Sequence, residues 1–199
     1  MATEKTFHIR NMVCPRCVAT VRSVLEGMGF TVLEVSLGRA RVASRTGIEE
    51  EAVDRELGKH GFALIADPEQ RIVEEIKISL IEYIARLENM DQPLSMSEFL
   101  SHHLATSYQH LSRIFSRSEH VTIERYLIML KIERVKELLS YGELTLSEVA
   151  YRLKYSSVQH LSGQFKKVTG LSVSEFRETG AVHRHSLDAV GKAGEEEEW

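Results

Sequence analysis

Compared with itself at an offset of 50 residues, the chain repeats. Ser97-Glu98 returns as Ser147-Glu148, and Gln109-His110-Leu111-Ser112 returns as Gln159-His160-Leu161-Ser162, with Phe115 and Phe165 closing the same helical face. An internal repeat means one supersecondary unit used twice, so both copies must bury the same apolar positions. The unit predicted is a short helix, a tight turn and a second helix. In the first copy Ser95 or Ser97 can cap a helix bearing Phe99, Leu100 and Leu104, and Thr106 or Ser107 can cap a second whose buried face is Leu111, Ile114 and Phe115. In the second copy Ser147 opens a helix with Val149, Ala150 and Leu153. The chain then turns near Lys154-Tyr155, and Ser156 opens a helix burying Leu161, Phe165 and Val168. A helical stretch from about Ile123 to Leu139, apolar at Tyr126, Leu127, Leu130, Val135 and Leu138, would hold the copies in a fixed relation.

The outward positions of the second helices are Tyr108, Gln109, Ser112, Arg113 and Arg117 in one copy, and Val158, Gln159, Ser162, Lys166 and Lys167 in the other. A helix fits the major groove of B-DNA, and two such helices about one helical turn apart can read successive grooves from one chain. Gln can pair bidentately with adenine, Arg with guanine, and Val can meet a thymine methyl, whereas lysines near helix ends suit phosphates. The plainer reading is the solvated face of two amphipathic helices. The same Gln-His-Leu-Ser core at the same spacing in both copies favours a reader of double-stranded DNA.

Charge is consistent with this only when divided by segment. The net charge is -4, but residues 94-178 carry 11 basic against 9 acidic side chains, while 1-68 balance at 9 and 9, 69-93 carry 3 against 6, and 179-199 carry 2 against 5. So small an excess makes DNA affinity depend on clustering on one face. The N-terminus shows no basic start followed by an apolar run, and no stretch approaches the ~18 apolar residues of a membrane span, so a cytoplasmic location without a membrane partner is expected.

The first 67 residues follow a different pattern. Thr6 to Arg10 alternates as a strand; Val18, Val21, Leu25 and Met28 have helical spacing that ends at Gly27 and Gly29; Val32 to Leu37 and Ala40 to Ala43 read as strands joined at Gly38-Arg39. A helix with Glu49, Glu50 and Glu51 in its first turn and apolar Val53 and Leu57 leads past Gly61 to a last strand, Phe62 to Ile65. The order βαββαβ is a ferredoxin-like plan. The two cysteines of the chain, Cys14 and Cys17, lie one turn apart where the first helix begins. Two thiols so spaced can turn toward one ion, and unpaired backbone N–H groups there favour thiolate. Soft sulfur suits Cu(I), whereas Zn(II) needs further ligands. His60 is a candidate third ligand or a solvated helix-end imidazole, and Met12 is expected to pack inward. A redox dithiol and a packing domain without an ion also fit the CxxC.

Met12-Val13-Cys14-Pro15-Arg16-Cys17, with Leu25-Glu26-Gly27-Met28-Gly29 and Gly61-Phe62-Ala63-Leu64, resembles the heavy-metal-associated domain of copper chaperones and metal-transporting ATPases. That family usually has Gly where this chain has Asn11.

Residues 69-91 follow Asp67-Pro68 and stop before Pro93, with Val73, Ile76, Leu80, Tyr83, Leu87 and Met90 at heptad a and d positions. Ile72 and Ile84 widen that face. Both a homodimer seam through residues 72-90 and a helix lying on one of the domains are consistent with it. The run Glu195 to Glu198 before Trp199 is expected to be a disordered acidic tail, with phosphate mimicry against the basic face as the alternative.

Lys131 to Leu139, Leu146 to Ala150 and His160 to Arg177 together resemble the C-terminal DNA-binding region of AraC/XylS-type transcriptional regulators, over roughly residues 90-178. The resemblance implies sequence-specific promoter binding, often as a dimer, and commonly activation through contact with RNA polymerase. Ala105 and Lys154 stand where the family often has Gly, which means either a strained positive φ or a different turn. Gly163 replaces a side chain in the second recognition helix, at about 1 kcal/mol relative to Ala. The scattered His102, His103, His110, His120 and His160 fit packing and solvent exposure better than a metal site.

The expectation is thus an α+β chain: a heavy-metal-associated-like domain over 1-67, a connecting helix over 68-92, an all-α double helix-turn-helix domain over 93-178, and a tail over 179-199. It would act as a DNA-binding regulator, responsive to a soft metal at Cys14 and Cys17. The alternatives are a metal-transfer protein with a helical interaction module, and a regulator switched by the redox state of the CxxC. No acid/base pair, activated nucleophile or phosphate-binding glycine loop suggests an enzyme.

Overall fold

The computed structural model describes residues 2–179. They are mixed α+β, in the order β1 (Thr3–Arg10), α1 (Pro15–Gly27), β2 (Thr31–Ser36), β3 (Arg39–Ser44), α2 (Glu50–Gly58), β4 (Ala63–Leu64), α3 (Pro68–Asn89), α4 (Met96–His103), α5 (Tyr108–Glu119), α6 (Ile123–Ser140), α7 (Leu146–Arg152), α8 (Val158–Thr169) and α9 (Val173–Thr179). Two compact units divide inside α3, between Ile78 and Ser79. The acidic run at Glu195 to Glu198 lies outside the described residues.

In the first unit four antiparallel strands lie in the order β2-β3-β1-β4, β1 pairing with β3 from Thr3↔Ser44 to His8↔Arg39 and with β4 through Ile9↔Leu64 and Arg10↔Ala63. Alternation along β1 puts Phe7 and Ile9 on the inner face, where they meet Val21 and Leu25 of α1 and Val53 and Leu57 of α2, all buried. Met12 is fully buried in the same cluster. The last strand is shorter than Phe62 to Ile65: only Ala63 and Leu64 pair with β1, with Phe62 and Ile65 buried on either side and the Ile65 amide donating to the His8 carbonyl at 2.8 Å.

The stripe on α3 is core. Val73, Ile76, Leu80, Tyr83, Ile84 and Leu87 are buried within the chain, while Met90 is 47% exposed. The dimer seam considered for residues 72-90 is therefore corrected: its apolar face is already covered. In the second unit Tyr83 packs on Phe99 of α4 at 5.3 Å between ring centroids and donates from its hydroxyl to the Leu94 carbonyl at 3.0 Å. Arg134 of α6 holds Glu88 of α3 bidentately, at 2.6 and 2.9 Å, and Glu137 at 2.6 Å. Such charge-assisted forks fix both distance and orientation.

The repeat proves longer than a helix-turn-helix. Phe115 of α5 meets Tyr126 of α6 edge-on at 5.3 Å and 68°, and Phe165 of α8 meets Phe176 of α9 at 5.5 Å and 69°. The first turn of α6 thus answers to α9, with Thr122 and Ser172 before them. Each helical repeat has three helices, and α6 serves both, closing the first repeat and packing against α7 and α8 of the second repeat. This double duty explains why α6 buries residues around most of its girth, including the ion pair Lys136–Glu133 at 2.6 Å.

Candidate nucleic-acid interface

The direction of each of α5 and α8 is set by the turn before it. In α4 the N-cap is Ser95, not Ser97, and Ser95 with Glu98 forms a capping box; in α7 the N-cap is Thr145, boxed with Glu148, so Ser147 sits inside the helix. Both helices end alike. The Thr106 amide donates to the Ser101 carbonyl at 3.2 Å and the Tyr155 amide to Ala150 at 2.9 Å, each spanning a residue in the left-handed region: Ala105 at φ 48° and Lys154 at φ 54°. This is a Schellman ending, which favours Gly at that residue. Ala105 and Lys154 therefore hold left-handed backbone without being Gly, and carry its strain. α7 is one residue shorter than α4 and its turn one longer, so α8 begins at the same register as α5, and its N-cap is Ser157, the counterpart of Ser107, and not Ser156.

Leu111, Ile114 and Phe115 bury one face of α5, and Leu161 and Phe165 bury that of α8, while Val168 is only half-buried. Helical spacing then turns Gln109, Arg113 and Arg117 outward on α5, with Ser112 half-buried beside them, and Gln159, Lys166 and Lys167 outward on α8, with Val158 and Ser162 half-buried. Arg113 Nη2 lies 3.2 Å from His110 Nδ1, one turn back, which restrains the guanidinium.

Tyr108 departs from the expected contact set. Its hydroxyl donates to Glu124 at the start of α6, and burial, followed by that hydrogen bond, raises the phenol pKa. It ties α5 to α6 and does not present a free hydroxyl. A similar brace stands behind α8: Tyr155 donates to Gln164 Oε1 at 2.7 Å, and Lys131 of α6 lies 4.0 Å above the Tyr155 ring. Burial draws the Lys131 pKa down to about 8. Periodicity in the sequence cannot show either brace, since each joins side chains that do not share a helix.

In the first unit Cys14 is the N-cap of α1, with Pro15 presetting its first turn. The two sulfurs lie 3.2 Å apart. Burial pushes the Cys14 thiol up but is outweighed by hydrogen bonds from the Cys17 thiol and from the Cys17 and Arg16 amides, with the Arg16 charge adding to them, so its pKa falls. Burial and its bond to Cys14 raise that of Cys17. The loop is anchored at Asn11, whose amide donates to Glu74 Oε1 and whose side chain donates to the Gly61 carbonyl, both at 2.9 Å, while φ is 71°. His60 is exposed in a surface groove with Thr20, Ser23 and Glu56. Among the described residues no three His, Cys, Asp or Glu side chains are grouped to hold a metal ion, which corrects His60 as a third ligand.

Residues 100–179 match the family described as Helix-turn-helix domain. The chain is similar to the melibiose operon regulatory protein of Escherichia coli strain K12, 24% identical over 100 residues that cover 50% of this chain and 33% of that protein. It is also similar to the HTH-type transcriptional regulator GbdR of Pseudomonas aeruginosa strain UCBPP-PA14, 27% identical over 100 residues, covering 50% and 27%. Among solved structures it resembles the C-terminal domain of AraT, a response regulator from Geobacillus stearothermophilus, at 25% identity and a TM-score of 0.46, covering 60% of this chain and 92% of that one. The chain spans about a third or less of the length of these curated relatives. The second unit thus contains a helix-turn-helix domain like those of AraC-type regulators. No helix among the described residues is long and apolar enough to cross a membrane.

Proposed function

We propose that the chain is a sequence-specific transcription regulator that binds double-stranded promoter DNA through α5 and α8, in the manner of AraC-type regulators, with RNA polymerase as a further partner. The observation that carries this reading is the duplicated frame: matched Schellman turns and matched aromatic pairs turn polar, partly basic faces outward at the same positions of α5 and α8. A solvated helix face needs no such repetition.

The first unit is proposed to be a ferredoxin-like domain of the heavy-metal-associated kind, supported by its β2-β3-β1-β4 order and the place of the CxxC at the start of α1. The donor set is two soft sulfurs on one turn. With no third ligand beside them among the described residues, it suits two-coordinate Cu(I) better than tetrahedral Zn(II). Cys14 and Cys17 would hold the ion, which would supply positive charge at the start of α1. A response at the DNA requires that the ion bind one arrangement of the chain better than another.

Selection of genomic fragments by the full chain, with and without Cu(I), tests both parts. An enriched common sequence is expected. None under either condition removes the regulator reading; a sequence bound equally with Cu(I), without it, and by the chain carrying Cys14→Ser with Cys17→Ser keeps the reader and removes the metal response.

A further inference from the structure

The two helix-turn-helix units share their frame but differ on the exposed face. Along α8 and α9 runs an open groove whose walls carry Lys166, Lys167 and Arg177 with the hydroxyls of Ser162 and Ser174. Gly163 lies at its edge, and a Cβ placed there meets nothing within 4 Å. At the matching places the first helical repeat has Arg113 for Gly163, Arg117 for Lys167, Glu124 for Ser174 and Leu127 for Arg177. A long guanidinium therefore projects from α5 where α8 has open space. A carboxylate committed to Tyr108 stands where the second repeat offers a hydroxyl.

These differences separate two tasks. Reading a base edge needs a side chain that reaches into the major groove and matches its donors and acceptors. Holding a backbone phosphate needs cations and hydroxyls around a concave surface that the strand can approach closely. The α8–α9 groove meets the second requirement and, at Gly163, lacks the means for the first. Glu175, whose pKa is lowered by hydrogen bonds from Ser172 and, to a lesser extent, by the Lys166 charge, caps α9 by accepting from the Ser172 amide at 2.6 Å. Arg177 is steadied by donation to the Leu144 carbonyl at 3.3 Å. Of the α8 amides, Gln164 is bonded to Tyr155, and Gln159 stands one turn from Gly163.

We infer that the α8–α9 groove seats a phosphate of the DNA backbone, so that the second helical repeat clamps the duplex while base sequence is read chiefly through α5. This rests on the DNA binding proposed above. It makes Lys166, Lys167 and Arg177 affinity residues and Arg113 a specificity residue. Gly163 is the opening that lets the strand come close.

The test uses the full chain and the duplex recovered by selection, with each base pair replaced in turn and affinity followed by fluorescence anisotropy as salt is raised from roughly 50 to 200 mM. Replacements are expected to weaken binding mainly on one half of the site, and Arg113→Ala should relax the preference on that same half. Lys167→Gln should weaken the selected and a scrambled duplex by the same factor and lower the salt slope by about 1. Gly163→Glu has room in the helix and should not lower Tm, yet should weaken both duplexes about tenfold or more by placing a carboxylate against phosphate. The clamp is overturned if base replacements cost equally on both halves, or if Lys167→Gln alters which bases are preferred. Failure to bind any duplex would instead count against DNA binding itself.

Discussion

Ala105 and Lys154 have L side chains in left-handed backbone, at φ 48° and 54°, inside the two turns that aim the reading helices. A left-handed residue other than Gly costs roughly 1–2 kcal/mol, part of which Gly gives back as unfolded-state entropy. Ala105→Gly is therefore expected to stabilise the second unit by about 0.5–1 kcal/mol in urea unfolding. Lys154→Gly should gain less, since Lys154 Nζ also lies 4.8 Å above the Tyr151 ring. Destabilisation by Ala105→Gly would show that the turn is not strained. The cysteines differ at the same scale. With its pKa lowered, Cys14 should alkylate before Cys17 near neutral pH, and Cys17→Ala, which removes the thiol donor, should slow Cys14 and move its rate profile to higher pH. Mass spectrometry of partly alkylated protein reads the order; Cys17 modified first would contradict the assignment.

The elements were legible where periodicity and caps coincide. The repeated Gln-His-Leu-Ser marks α5 and α8 at their full offset, and the CxxC, the paired glycines and the alternation of β1 mark the first unit. What escaped was tertiary. α9 is seven residues long, too short to show a period, and its role becomes visible only when Phe176 packs on Phe165 as Tyr126 does on Phe115. The apolar stripe of α3 carries the same pattern whether it faces a partner or its own chain. Tyr108 sits at a correct outward position, but a carboxylate sixteen residues on captures it. Capping also sets a pH limit for these helices. Glu98, Glu148 and Glu175 each accept from a hydroxyl and an amide of their own N-cap residue, and these bonds lower their pKa values. A carboxylate with a depressed folded-state pKa contributes stability that is complete above its unfolded value, near 4.5, and is lost as pH falls through the folded one. Tm should thus hold between pH 7 and about 5 and fall below that. Glu98→Gln, Glu148→Gln and Glu175→Gln together should flatten the fall, and an unchanged slope would assign the acid sensitivity elsewhere.

At the scale of the whole molecule, one chain contains a sheet domain with two thiols at a helix start and a helical domain with two reading helices on one shared central helix. If α5 and α8 bind DNA as proposed, one chain would supply two contacts, and the buried stripe of α3 removes the apolar face that a dimer through that helix would use. In a duplex, two helices from one rigid frame meet successive major grooves on one side, about 10 base pairs apart. Hydroxyl-radical footprinting of the full chain on its selected site tests this directly. Two protected stretches about one helical turn apart on the same face of the duplex are expected, with Arg113→Ala weakening one and Lys167→Gln lowering occupancy of both. A single protected stretch, or protection that does not depend on sequence, would contradict a bipartite reader.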